Sequence, residues 1–276
     1  MIPEKDVDKL KPRISFIQIG RKEQIEQEEQ IEPTPPVPTG YSILDKLLYG
    51  GIPQKFAVIL TSPPCDEKDL LIKSFLKTGA ENDEPTFYVN IEPSLAGSLA
   101  RNYSSTFHMF VCNPQGKAIL KDAPNIYILK GIENLTNINI ALSSAILKLE
   151  PSRKGNRRMC LNIISDILLQ GGAVQTRKWL IELLTQLKSS GFTTLAIIDG
   201  QLHSPEQLNA ILSLFEGEFN IREAETDHVI GRYLKIKRMS NQKYIKDEAY
   251  LTEEEQQNQR TSSLEDLHSR GFVRLS

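Results

Sequence analysis

The stretch Phe56-Ala-Val-Ile-Leu-Thr-Ser-Pro-Pro-Cys-Asp-Glu-Lys-Asp-Leu-Leu71 decides the fold. It opens on a continuous apolar run, which is typical of a strand buried on both faces of a parallel sheet. The segment Asp66 to Lys77 follows with apolar residues at helical spacing, and we expect Gly79 to end that helix. A buried strand, a tight turn and a helix in this order predict one unit of a parallel α/β sheet.

The same alternation of strand and helix patterns continues along the chain. Strands are predicted at Thr86–Ile91, Phe107–Cys112, Ile126–Leu129, Met159–Ile164 and Thr193–Ile198. Helices are predicted at Ser94–Tyr103, with Ser94 as its cap, and at Thr136–Leu149, Val174–Lys188 and Pro205–Phe215. Two further strands, Phe219–Ala224 and Tyr233–Met239, are joined by a turn without a helix. The sequence therefore predicts a mainly parallel sheet with an antiparallel extension at its C-terminal side.

The two ends of the chain differ from this pattern. Residues 1–37 contain a charged, glutamine-rich run and then four prolines between Ile31 and Pro38, so we expect a flexible N-terminal arm and linker. Within the arm, the apolar run Ile14 to Ile19 is a candidate strand that could dock on a sheet edge. Residues 38–252 form the predicted domain. Residues 253–276 are a predicted polar tail, whose last part either folds back or stays loose.

Composition narrows the classes of function. The net charge of -2 and the pI near 6.2 make nucleic-acid binding an unfavoured hypothesis, because dedicated binders are usually basic. No apolar run approaches the roughly 20 residues of a membrane span, and the N-terminus lacks an apolar signal core, so a cytoplasmic protein is expected. The three cysteines and four histidines match no disulfide or metal spacing, and no metal ligand is predicted. The basic cluster Arg153 to Arg158 is interpreted as a solvated loop.

Several blocks of sequence together resemble a known family. They are Thr39-Gly40, Leu44-Asp45, Gly50-Gly51-Ile52-Pro53, Phe87–Glu92, Lys188–Leu195 and Tyr233–Met239. Across residues 38–252 they resemble KaiC-type domains of the RecA superfamily of P-loop ATPases. The blocks Ser165–Gln170, Gln175–Leu180 and Leu214–Glu218 are similar to a group of archaeal KaiC-like proteins of unknown function. The resemblance implies a three-layer RecA/KaiC-like domain with its ligand crevice at the carboxyl ends of the strands.

The phosphate-binding turn departs from the pattern that this family requires. A working P-loop, G-x-x-x-x-G-K-[ST], uses glycines to expose N–H groups, a lysine to neutralise phosphate and a hydroxyl to bind Mg²⁺. The aligned segment is Ser62-Pro-Pro-Cys-Asp-Glu-Lys-Asp69, in which both glycines and the hydroxyl are missing. We expect Asp66 and Glu67 to oppose phosphate by about 1–4 kcal/mol each. Lys68 alone matches, either as a residual phosphate contact or as an ordinary surface lysine.

The other positions that the resemblance implies for catalysis are also changed. The paired catalytic acids correspond to Glu92 and Pro93, so one acid is left. The strand-end acid that holds Mg²⁺ corresponds to Asn162, although Asp166 could substitute in a shifted register. The trans-acting basic motif corresponds to Arg238-Met239-Ser240, which keeps the first charge and lacks the finger arginine. Glu92 and Asp166 are thus vestigial candidates, and Lys68 and Arg238 are the candidate nucleotide contacts.

Three hypotheses of function follow. The first is a non-hydrolysing, pseudo-ATPase KaiC-like protein that acts by binding a protein partner or further copies of itself. The second is a divergent ATPase that binds ATP or ADP and uses Lys68, Glu92 and Asp166. The third, a recombinase-type DNA binder, is disfavoured by the acidic balance and the missing finger.

Overall fold

The computed structural model describes residues 35–119, 123–149, 155–226 and 229–251. In chain order its strands are β1 (Pro36–Val37), β2 (Ile52–Pro53), β3 (Ala57–Thr61), β4 (Thr86–Asn90), β5 (Phe107–Val111), β6 (Ile126–Ile128), β7 (Arg157–Asn162), β8 (Phe192–Ile198), β9 (Gly217–Thr226), β10 (Val229–Met239) and β11 (Ala249–Tyr250). Its helices are α1 (Ser42–Leu47), α2 (Asp66–Glu81), α3 (Gly97–Asn102), α4 (Gly116–Ile119), α5 (Leu135–Leu147), α6 (Ile164–Ser189) and α7 (Pro205–Leu212). The predicted tail and the predicted arm up to residue 34, including the candidate strand Ile14 to Ile19, lie outside the described residues. The last residues of the predicted arm are part of the fold, because β1 pairs antiparallel with β2 and Val37 is buried.

The central sheet confirms the predicted fold class. In the described part of the chain its strand order is β11-β10-β9-β3-β8-β7-β4-β5-β6. The strands from β9 through β6 run parallel, whereas β10 pairs antiparallel with both β9 and β11. The antiparallel pair is longer than predicted, because β9 continues to Thr226 and β10 begins at Val229. The connection between β9 and β10 is therefore shorter than the predicted turn.

Alternate residues of the inner strands enter two apolar cores, one on each face of the sheet. Leu60, Tyr88 and Cys160 pack with α2 and α3 on one face. Ile59, Val89 and Leu161 pack with α5 and α6 on the other. Because both faces are covered, these strands contain continuous apolar runs rather than alternating ones. The resulting architecture has three layers.

Helix α2 corrects the prediction that Gly79 ends it. The helix continues to Glu81, and Gly79 lies within its buried face. A Cβ at position 79 would lie 2.3 Å from the Thr86 hydroxyl and 2.5 Å from the Arg158 side chain. The glycine is therefore explained by close packing of the helix on the sheet.

One further local prediction is wrong and another is incomplete. Ser94 lies inside a 3₁₀ turn, Pro93–Leu95, and α3 begins only at Gly97, so Ser94 caps no helix. The helix predicted from Val174 to Lys188 is present, but a first helical segment, not predicted, begins at Ile164 and meets it at a kink at Gly172, which has φ 69° and ψ 173°. The glycine pair Gly171-Gly172 tolerates this conformation, which residues with a side chain rarely adopt.

Arg158 corrects the interpretation of the basic cluster as a solvated loop. Its side chain is fully buried on β7 and forms an ion pair with Glu84. It also donates to the carbonyl oxygen of Pro38 at 2.6 Å and lies over the Phe75 ring at 5.1 Å. Arg158 therefore connects the segment before α1, the helix α2 and the sheet.

Candidate functional site

A cavity of about 500 Å³ lies at the carboxyl ends of β3, β4, β7 and β8. Parallel strands end at the same edge of a sheet, so the segments that follow them converge there. The charged and amide side chains that line the cavity are Lys68, Asp69, Glu92, Asn162, Asp166 and Asp199. The structure thus brings the predicted residues Lys68, Glu92 and Asp166 together around one cavity.

The turn between β3 and α2 offers little to a phosphate group. The N–H of Ser62 donates to the carbonyl oxygen of Ile198 at 3.0 Å. Pro63 and Pro64 have no N–H, so three successive positions of the turn present no free backbone donor. The Ser62 hydroxyl donates to the Pro63 carbonyl oxygen at 2.8 Å. These three positions therefore cannot contribute to a nest of N–H groups of the kind that surrounds phosphate in a P-loop.

Glu67 occupies the position of the second P-loop glycine, but its carboxylate does not face the cavity. The side chain is buried and accepts a hydrogen bond from Arg232 Nη1 at 2.9 Å. Asp66 is exposed, and it too is absent from the cavity lining. The carboxylate of Glu67 is therefore paired with Arg232 and does not line the cavity, whereas the expectation for Asp66 stays a prediction.

Lys68, the one residue that matches the P-loop, does line the cavity. Its ammonium group lies 3.6 Å from the carboxylate of Asp69, the residue in place of the Mg²⁺-binding hydroxyl. The Lys68 side chain is 17% exposed and that of Asp69 is 50% exposed. The carboxylate of Asp69 thus partly balances the positive charge of Lys68, which would otherwise be available to neutralise phosphate.

The cavity as a whole is acidic. Of its five charged lining residues, only Lys68 is basic, and the other four are Asp69, Glu92, Asp166 and Asp199. Burial raises the pKa of the Asp166 carboxyl, and the negative charge of Glu92 raises it further, while His203 acts in the opposite direction. The four carboxylates of the lining would repel a polyphosphate that entered the cavity without a bound cation.

Asn162 is the last residue of β7 and lines the cavity. This agrees with the alignment that places Asn162, rather than Asp166, at the position of the strand-end acid. Its side-chain amide donates to the Tyr88 hydroxyl at 3.3 Å, and burial raises the pKa of that hydroxyl. Asp166 lies one residue beyond Ser165 in the first turn of α6. An amide binds Mg²⁺ less strongly than a carboxylate, and Asp166 belongs to a helix rather than to the strand end.

One charged residue of the site escaped the sequence analysis. Asp199 follows β8, and its N–H donates to the Ser165 hydroxyl oxygen at 2.9 Å, which holds the start of α6 beside the cavity. His203, further along the chain, is not among the lining residues; burial lowers its pKa, while Asp199 and Asp166 raise it. The signal that could have identified Asp199 is its place directly after a buried strand.

Arg238 is not part of this cavity. It lies on β10 opposite Glu218 and donates to the carbonyl oxygen of Leu212 at 2.7 Å, at the end of α7. Arg177 also donates to a carbonyl of that last turn, at Ala210. Both arginines thus donate to carbonyl oxygens in the last turn of α7. The predicted contact of Arg238 with a nucleotide on a neighbouring copy stays a prediction.

The residues present do not fit Mg²⁺-ATP in the manner of a P-loop. The turn has no free N–H donor at Ser62, Pro63 or Pro64, and Asp69 and Asn162 stand in place of the hydroxyl and the carboxylate that would hold the metal. Among the described residues, no group of three or more His, Cys, Asp and Glu side chains could hold a metal ion. Within the same residues, no helix is long and apolar enough to cross a membrane.

The sheet order, the helices on both faces and the strand-turn-helix at the cavity define a P-loop-type α/β protein of the RecA class. The chain belongs to the KaiC family of ATPases, because the sequence model of that family matches residues 37–256. The predicted resemblance to KaiC is confirmed.

Individual relatives agree with this assignment. The chain is 24% identical over 164 residues to a UPF0273 protein of Sulfurisphaera tokodaii, which covers 55% of the chain and 56% of the relative. A UPF0273 protein of Methanopyrus kandleri is 39% identical over 56 residues, or 20% of the chain and 22% of that relative. The chain thus spans about half or less of these relatives. The crystal structure of a KaiC-like protein of Pyrococcus horikoshii matches with a TM-score of 0.59 and 21% identity, covering 80% of the chain and 95% of that structure, and supports the fold alone.

Proposed function

We propose that this KaiC-family protein does not hydrolyse ATP and acts in the cytoplasm as a binding or regulatory protein. The observation that carries the proposal is the turn from Ser62 to Pro64, in which no backbone N–H is available to phosphate. Phosphoryl transfer depends almost entirely on positioning and electrostatic stabilisation of phosphate. A turn that holds phosphate poorly therefore removes the basis of the reaction.

The metal-binding positions support the same proposal. Asp69 replaces a neutral hydroxyl and is placed against Lys68, while Asn162 replaces the strand-end carboxylate. Mg²⁺ normally bridges two phosphate groups and neutralises the charge that develops during transfer. We therefore expect Mg²⁺ to have little influence on any nucleotide that enters the cavity.

The catalytic positions support it as well. Glu92 lines the cavity, but the position of the second acid is Pro93, which has no ionisable group. Arg238 is engaged with the last turn of its own α7. Neither a paired acid nor a finger arginine is therefore present to activate water or stabilise transferred charge.

Binding to a partner protein or to further copies of the chain is supported by exposed apolar side chains. Ile140 and Leu147, two turns apart on α5, are 59% and 85% exposed. Residues seven apart lie on the same face of a helix. A pair of large apolar side chains on one helix face suits contact with another protein surface.

Calorimetric titration with ATP, with and without Mg²⁺, tests the proposal. We expect any ATP affinity to change less than about twofold on addition of Mg²⁺, because the metal positions are lost. Titration with ADP serves as the control for the contribution of the γ-phosphate. A Mg²⁺-dependent gain of tenfold or more for ATP but not for ADP would contradict the proposal.

A divergent ATPase is the second candidate, and one observation favours it. Lys68, Glu92 and Asp166 line the same cavity, as an active site would require. This candidate predicts that Mg²⁺-ATP raises the melting temperature, since a ligand at about 100 times its Kd stabilises the folded state by about 2.7 kcal/mol. It also predicts that Asp166→Asn abolishes the shift. No shift at millimolar nucleotide would count against this candidate.

A further inference from the structure

Basic side chains lie on the outer face of the β9–β10 pair. Leu234 and Ile236 of β10 enter the apolar core that contains α2, so Lys235, between them, faces the opposite side of the sheet. On that side Lys235 Nζ lies 3.1 Å from a carboxylate oxygen of Glu248, which also pairs with Arg222 of β9. The two strands therefore contribute basic groups to one surface, away from the apolar core.

This basic face continues into a groove beside α7. A register shift between Ile236 and Arg238 brings Lys237 and Arg238 both to Glu218 of β9, at 3.2 Å and 3.9 Å. A groove of about 660 Å³ lies between these three charged side chains and α7. The helix and the residue after it line the other wall, with Pro205, Leu208, Asn209, Leu212 and Ser213. One wall of the groove is thus charged, and the other is largely apolar.

Positive charge dominates what this face presents to solvent. The side chains of Arg222, Lys235, Lys237 and Arg238 are between 39% and 48% exposed. The two carboxylates with which they pair, on Glu218 and Glu248, belong to side chains that are 13% and 25% exposed. Exposed ion pairs contribute little free energy, so the carboxylates of a partner can compete for these basic groups at small cost.

We propose that the basic face and the groove beside α7 bind an acidic, partly apolar segment of another protein. The exposed positive charge selects an anionic partner. The apolar wall formed by Leu208 and Leu212 selects a partner that also carries apolar side chains, a condition that the phosphate backbone of a nucleic acid does not meet. The inference rests on the proposed function, because it assigns a surface and a kind of partner to the binding protein.

Fluorescence anisotropy with a labelled twelve-residue peptide, in which every third residue is leucine and the others are glutamate, tests the inference. We expect the unchanged protein to bind it, and Lys235→Gln combined with Lys237→Gln to lose affinity by about fivefold or more, because two exposed positive charges leave the face. Lys117→Gln combined with Lys130→Gln is the matched control. Both of these lysines are exposed and lie near β6, at the opposite edge of the sheet, so the affinity should change less than about twofold.

A second peptide, with serine in place of each leucine, tests the role of the apolar wall and should bind about fivefold more weakly or worse. The inference is overturned if the unchanged protein does not bind the first peptide, if the two double variants lose affinity equally, or if the serine peptide binds as tightly. Displacement of the peptide by a twelve-nucleotide oligothymidine would overturn it in favour of a nucleic-acid partner. ATP hydrolysis by the unchanged protein would contradict the proposed function without deciding this test.

Discussion

Arg158 takes its role from residues far away in the sequence. Four basic residues between Arg153 and Arg158 suggest a solvated segment, but Glu84, 74 residues earlier, supplies a buried partner. Burial lowers the pKa of the Arg158 guanidinium, and the neighbouring Glu84 carboxylate raises it. A local pattern cannot predict such burial, because the compensating charge comes from another part of the chain.

Glu84→Gln should destabilise the protein by about 3 kcal/mol, because it leaves the Arg158 charge buried without a counter-charge. The free energy of unfolding in urea measures the effect. Lys188→Gln is the matched control, since it breaks the pair with Glu216 at a side chain that is 58% exposed. Its loss should stay below about 1 kcal/mol. Equal losses in the two variants would contradict the structural role of Arg158.

The raised pKa of Asp166 leads to a prediction about how stability depends on pH. Its folded-state pKa is raised above the ordinary 3.8, mainly by burial, so the folded protein binds this proton more tightly than the unfolded chain. Its contribution favours folding at low pH and is lost as pH rises from 3.8 through the raised pKa. The melting temperature of Asp166→Asn, relative to the unchanged protein, should therefore increase as pH rises.

Glu206 provides a control, because its pKa is shifted in the opposite direction to that of Asp166. A hydrogen bond from the Ser204 hydroxyl lowers the pKa of this exposed carboxyl below the ordinary 4.5. Its stabilisation is present at higher pH and is lost as pH falls. Thermal unfolding from about pH 3 to about pH 7 should give differences of opposite slope for Asp166→Asn and Glu206→Gln. A flat or falling difference for Asp166→Asn would contradict the assigned pKa direction.

At the level of elements, apolar runs and helical spacing predicted the inner strands and most helices, because buried strands and amphipathic helices leave strong local patterns. Besides the wrong cap at Ser94, the failures at this scale concern glycines. Gly79 was expected to end α2 but is required by close packing, whereas Gly191, after α6, has φ 81° as expected for a residue that breaks a helix. Whether a glycine ends, bends or packs a helix depends on contacts that sequence alone does not contain.

The kink in α6 gives a prediction at this scale. Gly172→Ala should destabilise the protein by about 1–3 kcal/mol, because its backbone lies in a region that only glycine adopts readily. The cost is conformational, since a Cβ there meets nothing within 4 Å. Gly171→Ala is the control: its Cβ meets only the flexible Gln175 side chain, and no loss is expected. Urea unfolding of both variants checks this, and equal effects would show that the kink is not the cause.

At the level of the whole molecule, the fold was predictable to a greater extent than the site. Lys68, Glu92 and Asp166 meet at one cavity because each follows or ends near a parallel strand, which is a rule of topology. The Glu67–Arg232 pair joins residues 165 positions apart, and Arg238 contacts the end of α7. Such side-chain partners depend on how the elements pack, so the sequence did not reveal them.

The central claim is that the remodelled turn no longer supports ATP hydrolysis. Steady-state release of phosphate from ATP in the presence of Mg²⁺ tests it most directly, with Lys68→Ala as the comparison. We predict that the unchanged protein and the variant both release phosphate at the background rate, because neither can hold the β- and γ-phosphates for transfer. Turnover well above background that Lys68→Ala abolishes would contradict the claim.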